Sequence, residues 1–138
     1  MTLNPYLTFD GNCKDALALY KDALGADVTI QTVGESPMAA QMPEMKDQVM
    51  HAVVSLSGTT LFMASDMLGK EATQKGNLIT MCINCDSEEQ LRGFYAKIVD
   101  GGIPGHEPKV EFWGGVYADC EDKFGIRWMF NFQKTAQQ

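Results

Sequence analysis

Apolar and polar residues follow two periodicities along this chain. Alternation with period two predicts β-strands, because successive side chains of a strand point to opposite faces. The segments that alternate in this way, and that we predict as strands, are residues 3–10, 27–33, 49–57, 60–65, 78–85 and two strands within 112–132. The stretch 103–111 contains Pro104 and Pro108 and is at best an edge strand.

Two segments instead place apolar residues at helical spacing. In the first, Ala16, Leu17, Tyr20, Ala23 and Leu24 form one stripe, which predicts a helix of about 12 residues. We expect Asn12 to cap its start and Gly25 to end it.

The second helical stripe is formed by Leu91, Phe94, Tyr95 and Ile98. Ser87 with Gln90 three positions later is typical of a capping box at its start, and the glycine pair 101–102 ends it.

The elements therefore occur in the order strand, helix, strand, strand, strand, and this order occurs twice with an offset of about 75 residues. We predict one α+β domain over residues 1–138, built from two repeats at about 1–75 and 76–138. An unrelated α+β sandwich that happens to contain two helices is the alternative.

The most informative strand is the last one. Trp128, Phe130 and Phe132 alternate with Arg127, Met129 and Asn131, which assigns the aromatic residues to a buried face. The second face is free to carry chemistry if it lines a cleft.

The composition and net charge of the chain argue against some classes of binding partner. A net charge of −7 argues against nucleic acid and anionic membrane surfaces as partners, because phosphate would be repelled. No apolar run reaches the roughly 18 residues of a membrane span. The N-terminal stretch also lacks the basic and apolar regions of a signal peptide, so we expect a cytoplasmic protein.

The four cysteines are expected to be reduced thiols in that compartment. Cys82 and Cys85 have C-x-x-C spacing, but on a strand residues three apart point to opposite faces. We therefore interpret them as two unrelated thiols, not as a zinc chelate or a redox pair.

The chain resembles the PhnB-like branch of the vicinal oxygen chelate superfamily, which includes glyoxalases, bleomycin-resistance proteins and extradiol dioxygenases. The resemblance covers nearly the whole chain, and its specific part is the C-terminal block. The segments that carry it are 4–12, 16–20, 58–61, 64–66 and 112–114, together with Tyr117 and 122–129.

The resemblance implies the glyoxalase/bleomycin-resistance fold, in which each βαβββ unit forms a curved, mixed half-barrel sheet with its helix on the convex side. It implies a ligand on the concave side, and a homodimer made by packing or by exchanging halves.

The superfamily's metal enzymes hold one divalent ion with His or Glu on the first and last strands of each half. By resemblance, those positions fall here on Asn4 or Pro5, Met63, Thr80 and Met129. Amide, thioether and hydroxyl groups do not suit Mn, Fe, Ni or Zn, the ions that these metal enzymes bind. We therefore predict no metal and no cofactor.

The resemblance also identifies a concave, ligand-binding face. The residues expected to line it are Tyr6, Thr8, Met63, Thr80, Cys82, Asn84, Arg127, Met129 and Asn131, with Trp113 and Tyr117 near the rim. Such an apolar, polarisable floor suits a small organic ligand. Met63 and Met129 are equally suited to filling the space of an ion.

Three functions remain open. The first is metal-free binding of a small molecule. The second is an enzyme that uses substitute ligands or acid–base chemistry through His51, Tyr117 or Cys82, because an unperturbed histidine titrates near neutrality. The third is a partner-binding dimer whose cleft is filled. His106, beside Glu107, is expected to lie in a solvated loop.

Overall fold

The computed structural model describes residues 1–68 and 72–133 and has an α+β architecture with two mixed sheets. Two helices, α1 (Cys13–Leu24) and α2 (Glu88–Val99), accompany the strands. The strands are β1 (Tyr6–Phe9), β2 (Asp27–Thr32), β3 (Val49–Leu56), β4 (Thr59–Asp66), β5 (Met81–Asn84), β6 (Ile103–Pro104), β7 (Lys109–Val110), β8 (Val116–Glu121) and β9 (Arg127–Phe132).

The chain forms two compact units, residues 1–74 and 75–138. The sheet of the first unit has the order β1-β4-β3-β2, and that of the second has the order β5-β9-β8-β6, with β7 also paired to β8. In each sheet the first strand runs parallel to the last strand, and the other pairs are antiparallel. The predicted fold, a βαβββ unit present twice in open sheets, is confirmed.

Each helix buries its apolar stripe against one face of its own sheet. In the first unit, Leu17 and Tyr20 of α1 are buried, and the Tyr20 ring meets Phe62 edge-on at 5.6 Å. In the second unit, Tyr95 meets Phe130 in the same manner at 6.0 Å. Among the described residues, no helix of the same unit covers the opposite face of either sheet.

The start of α1 is capped in a way that the sequence pattern did not predict. Asn12 occupies the N-cap position, but its side chain makes no capping hydrogen bond. Instead, Asp66 at the end of β4 accepts hydrogen bonds from the backbone of Gly11 (2.8 Å) and Cys13 (3.1 Å). Its second oxygen accepts from the Val49 N–H at 2.9 Å, so one buried carboxylate joins the start of the helix to two strands.

A second buried carboxylate, Asp122, organises the turn between β8 and β9. Its Oδ1 accepts from the backbone N–H groups of Phe124 (2.9 Å) and Ile126 (3.0 Å). Its Oδ2 accepts from the indole N–H of Trp128 at 2.9 Å. Asp122 is only 2% exposed, so these donors replace the water that the carboxylate would otherwise bind.

Two predicted strands are shorter in the structure. The strand predicted at 3–10 is limited to Tyr6–Phe9, and the one predicted at 78–85 is limited to Met81–Asn84. Leu78 and Ile79 are exposed because β5 pairs with β9 only from Met81 opposite Trp128, one residue after β9 begins.

Other local predictions agree with the structure. Gly25 ends α1 in the left-handed conformation, as predicted. The β3–β4 turn is formed by Ser57 and Gly58, both with positive φ. The Ser87 hydroxyl caps α2 by accepting from the Gln90 N–H at 3.0 Å. The Gln90 side chain, however, accepts from the Asp86 N–H and not from Ser87, so only half of the capping box forms.

The segment between β2 and β3 contains two 3-10 turns, Val33–Glu35 and Pro43–Met45. The segment between β4 and β5 includes residues 69–71, which lie outside the described residues. Within residues 1–68 and 72–133, no helix has the length and apolar character needed to cross a bilayer.

The substitution Asp122→Asn tests the role of the buried carboxylate. It places an amide donor against donors that already need an acceptor, so we expect the free energy of unfolding to fall by about 2–3 kcal/mol. Urea unfolding followed by Trp fluorescence measures this. Asp100→Asn, at an exposed aspartate at the end of α2, is the control and is expected to change stability by less than about 0.5 kcal/mol. An equal effect of both variants would contradict the assigned role.

Candidate functional site

The face of the second sheet that α2 does not cover is polar. On β8, Tyr117, Asp119 and Glu121 alternate with buried Val116, Ala118 and Cys120. We call this side the open face of the second sheet.

The partners of those residues on β9 share the same face. Tyr117 lies opposite Asn131, Asp119 opposite Met129, and Glu121 opposite Arg127. On β5, Cys82 lies beside Met129 and Asn84 beside Asn131. Arg127, Met129 and Asn131 therefore occupy the open face, while Trp128 and Phe130 are buried, as the alternation predicted.

A cleft of about 220 Å³ lies in this unit. Four predicted site residues come together in its lining, namely Thr80, Tyr117, Arg127 and Met129. The rest of the lining is Ile103, Pro104, Gly105, Asp119, Cys120, Glu121 and Trp128.

Cys82 and Trp113 lie outside that lining. Cys82 is exposed on β5, whereas Cys85, Cys13 and Cys120 are buried. The opposite burial of Cys82 and Cys85 agrees with the predicted opposite faces. Trp113 is half-exposed in the loop after β7, where its ring meets Phe112 edge-on at 5.0 Å.

Asp119 is the centre of a hydrogen-bonded cluster with His106 and Tyr117, which we call the His106 cluster. Asp119 Oδ2 lies 2.9 Å from the His106 Nδ1 and accepts from the Tyr117 hydroxyl at 2.8 Å. Asp119 Oδ1 accepts from the His106 backbone N–H at 2.7 Å. All three groups therefore converge on one carboxylate.

The backbone fixes the same cluster. Asp119 donates its N–H to the His106 carbonyl at 2.9 Å, and the Gly105 N–H donates to the Asp119 carbonyl at 3.0 Å. A Cβ at Gly105 would collide with Asp119 Oδ1, so this close approach requires glycine. The imidazole is held at the sheet edge through a short, defined segment.

The cluster shifts two pKa values. Burial raises the pKa of Tyr117 to about 12, and the hydrogen bond to Asp119 adds to the shift, because both favour the neutral phenol. Burial disfavours the Asp119 carboxylate, but hydrogen bonds from the His106 backbone and ring and from Tyr117 outweigh it. The pKa of Asp119 therefore lies below its usual value of 3.8.

Arg127 supplies the positive charge of the cleft. Its guanidinium lies 3.9 Å from Glu121 Oε1, which is an ion-pair contact longer than a hydrogen bond, and its side chain is 43% exposed. The guanidinium is therefore partly accessible to solvent or to a ligand.

The first unit has a smaller polar group on its open face. Tyr6 of β1 pairs with Met63 of β4, and Thr8 with Ser65. The Tyr6 hydroxyl lies 3.1 Å from the His51 Nδ1, and the two rings are 5.8 Å apart. Predicted residues Tyr6, Met63 and His51 thus share one face, and His51 has no carboxylate partner within the described residues of its unit.

The two sheets can be compared through their registers. Tyr6 pairs with Met63 as Cys82 pairs with Met129, so the two methionines occupy equivalent positions. Counting back two residues makes Asn4 the equivalent of Thr80. Of the two predicted candidates, Asn4 and Pro5, Asn4 is therefore the counterpart of Thr80. The Pro5 carbonyl accepts a hydrogen bond from the Met63 N–H at 3.0 Å.

These positions do not fit a divalent metal ion. Their side chains offer an amide, a hydroxyl and two thioethers, and thioethers are soft donors that suit Cu(I). In the part of the chain that the structure describes, no group of three His, Cys, Asp or Glu side chains is arranged to hold a metal ion.

Two residues of the cluster escaped sequence reasoning. Asp119 could have been found, because alternation assigns it to the same face as Tyr117. His106 could not, because its contact with Asp119 depends on how the edge segment folds back over β8, and no periodicity encodes that.

Comparison of the chain with known proteins identifies its family. Residues 1–130 match the family described as 3-demethylubiquinone-9 3-methyltransferase. Protein YjdN of Escherichia coli is 30% identical over 144 residues, and the match covers 97% of each chain.

Solved structures have the same fold. Protein PA1353 of Pseudomonas aeruginosa superposes with a TM-score of 0.84 at 28% identity, covering 96% of this chain and 98% of its own. A Bacillus cereus protein described as a putative 3-demethylubiquinone-9 3-methyltransferase, PhnB protein, gives 0.78 at 19% identity over 96% and 100%. A glyoxylase/bleomycin resistance protein/dioxygenase domain from Frankia gives 0.69 at 11% identity over 99% and 94%.

The substitution Gly105→Ala tests how tightly the His106 cluster is built. The added methyl group must displace Asp119 Oδ1, so we expect the His106 ring to lose its contact with Asp119, which NMR of the ring nitrogens reports. Gly76→Ala is the matched control, because its Cβ meets no atom within 4 Å. Unchanged ring resonances in Gly105→Ala would show that the segment is loosely held.

The lowered pKa of Asp119 predicts a pH dependence of stability. A carboxyl group whose pKa is lower in the folded chain stabilises the fold above its usual value of 3.8, and this contribution is lost as pH falls through the folded-state pKa. We therefore expect the stability difference between the wild type and Asp119→Asn to shrink as the pH falls through 3.8 and below it. Urea unfolding across this range measures it, and a constant difference would contradict the assignment.

Proposed function

This chain belongs to the family described as 3-demethylubiquinone-9 3-methyltransferase, the PhnB-like branch of the vicinal oxygen chelate superfamily, and we propose that it binds a small organic molecule without using a metal ion. The observation that carries the proposal is the cleft of about 220 Å³ in the second unit. This volume is below the roughly 300–1,000 Å³ of pockets that bind drug-sized ligands, which indicates that the ligand is smaller than those.

The lining of the cleft indicates the character of the ligand. Met129, Ile103 and Pro104 supply apolar surface, and methionine adapts its shape to a partner. Thr80 and Arg127 supply hydrogen-bond donors beside that surface. The combination suits a ligand with one apolar or aromatic side and one polar side.

The metal-free part of the proposal is supported by donor chemistry. Met63 and Met129 occupy equivalent positions in the two sheets, where the superfamily's metal enzymes carry His or Glu. A thioether is a poor ligand for Mn, Fe, Ni or Zn. At Met129 the side chain instead contributes apolar surface to the cleft.

Methyl transfer is not part of the proposal. A fold that holds an S-adenosyl group between strand and helix uses a glycine-rich loop there. The strand-to-helix turns of this chain are Asp-Gly-Asn before α1 and Cys-Asp-Ser before α2. Together they contain a single glycine, so neither is a glycine-rich loop.

We also expect a homodimer. Exposed apolar side chains in the second unit, Ile103, Val110, Phe112 and Trp113, are consistent with a further protein contact. Sedimentation equilibrium reports the oligomeric state, and a monomer at all concentrations would remove this part of the proposal.

Binding is tested with a library of small aromatic and aliphatic fragments by two-dimensional NMR. Fragments are expected to shift the amide resonances of Thr80, Asp119 and Met129. The variant Met129→Glu should weaken binding at least tenfold, about 1.4 kcal/mol, because it replaces apolar surface with a charge. Met38→Glu, the same change at an exposed methionine, is the control and should leave binding unchanged. Fragments that bind Met129→Glu as well as the wild type would contradict the proposed cleft.

The metal-free part is tested separately by isothermal titration with Ni, Zn, Mn and Fe ions. We expect no stoichiometric tight site. One ion bound per chain, with binding lost on mutation of Met63 or Met129, would contradict the proposal.

A further inference from the structure

The geometry points to a metal-free general base at the edge of the second-unit cleft, in which His106 is the base, Asp119 positions it, and the ligand is a small carbon acid such as a carbonyl or heteroaromatic compound with an acidic C–H. The inference rests on the proposed ligand binding in this cleft. It assigns the acid–base chemistry to His106, where the sequence pointed to His51.

The contact with Asp119 determines which ring nitrogen can accept a proton. Nδ1 lies 2.9 Å from the carboxylate Oδ2, so the neutral imidazole keeps its proton on Nδ1 and has its lone pair on Nε2. A carboxylate in this position also stabilises the imidazolium that forms when Nε2 takes a proton. These are the two requirements of a histidine base.

The cluster is preorganised for this role. The Asp119 carboxylate receives three hydrogen bonds, two from His106 and one from Tyr117. The Asp119 N–H also donates to the His106 carbonyl. Tyr117 and the ring of His106 are in edge contact at 6.0 Å. A base held by both its backbone and its ring reorganises little when it accepts a proton.

The location joins the base to the cleft. Gly105, Tyr117 and Asp119 line the cleft, and His106 follows Gly105 directly in the chain. His106 itself is not among the lining residues, but its side chain is 80% exposed, so Nε2 is open to solvent at the edge of the cleft. In the first unit, His51 Nδ1 lies 3.1 Å from the Tyr6 hydroxyl, a group that can donate or accept, so this contact leaves the tautomer of His51 undetermined.

The chemical step is a proton transfer. Nε2 takes the proton from the ligand carbon, and the electron pair of the broken C–H bond stays in the ligand. In a carbonyl compound this pair forms the enolate. In the probe 5-nitrobenzisoxazole it forms the C≡N bond while the ring N–O bond breaks and oxygen leaves as phenolate, so no external oxidant or reductant is needed.

The first test is the tautomer of His106, read by NMR of the ring nitrogens in the full-length protein. We expect the Nδ1–H form in the wild type and its loss in Asp119→Asn. A wild-type ring that is protonated on Nε2 in its neutral form would overturn the inference, because the lone pair would then face Asp119.

The second test is turnover of 5-nitrobenzisoxazole, followed by the absorbance of its phenolate product. We expect His106→Gln to lower kcat roughly 100-fold, within the range of general-base contributions. Asp119→Asn should lower kcat with little change in KM, because it changes the partner of the base and leaves the apolar lining residues Met129, Ile103 and Pro104 in place. Glu107→Gln, at the exposed neighbour of His106, is the matched control and should leave turnover unchanged.

The outcomes separate this inference from the proposed function. A probe that shifts the cleft resonances but is not turned over overturns the base and leaves ligand binding intact. A probe that does not bind, while other fragments do, overturns the inference in the same way. If His51→Gln abolishes turnover and His106→Gln does not, the base lies in the first unit and the inference is wrong.

Discussion

The structure depends on buried carboxylates that are satisfied by backbone N–H groups. A carboxylate removed from water is costly unless it is fully hydrogen-bonded, so each one fixes the segments that supply its donors. Asp66 does this for the start of α1, the end of β4 and the start of β3. Asp122 does it for the turn that joins β8 to β9 and for the indole of Trp128. Each unit is thus tied together at a point where its sheet meets another element.

The candidate site uses the same interaction on the other side of the second sheet. Asp119 lies on β8, three residues before Asp122 in the following turn, and its carboxylate accepts from a backbone N–H, an imidazole and a phenol. Because Asp122 fixes the hairpin from the buried side, the open face carries Asp119 on a rigid support. A rigid strand with a polar outer face is what a binding or acid–base site requires.

Much of the fold and part of the site could be predicted from the sequence. Alternation along residues 126–132 correctly assigned Trp128 and Phe130 to the core and Met129 to the open face. A strand with one buried face has apolar side chains at every second position, and this pattern is visible in the sequence. The cap of α1 was assigned to Asn12 and is supplied by Asp66, a residue more than 50 positions away, and local sequence rules cannot detect a partner at that distance. His106 was correctly assigned to an exposed loop, but its contact with Asp119 was not predicted, because that partner also depends on tertiary folding.

The interrupted edge of the second sheet has a further consequence. Four residues, 105–108, stand opposite only Ala118 and Asp119, between the short ladders of β6 and β7. This surplus lets the segment arch over β8 and present His106, while the helix-covered side of the sheet is not involved. Insertions or deletions in the arch would therefore redirect an imidazole without disturbing the hydrophobic interior, so relatives could diversify their chemistry at this margin while inheriting one scaffold.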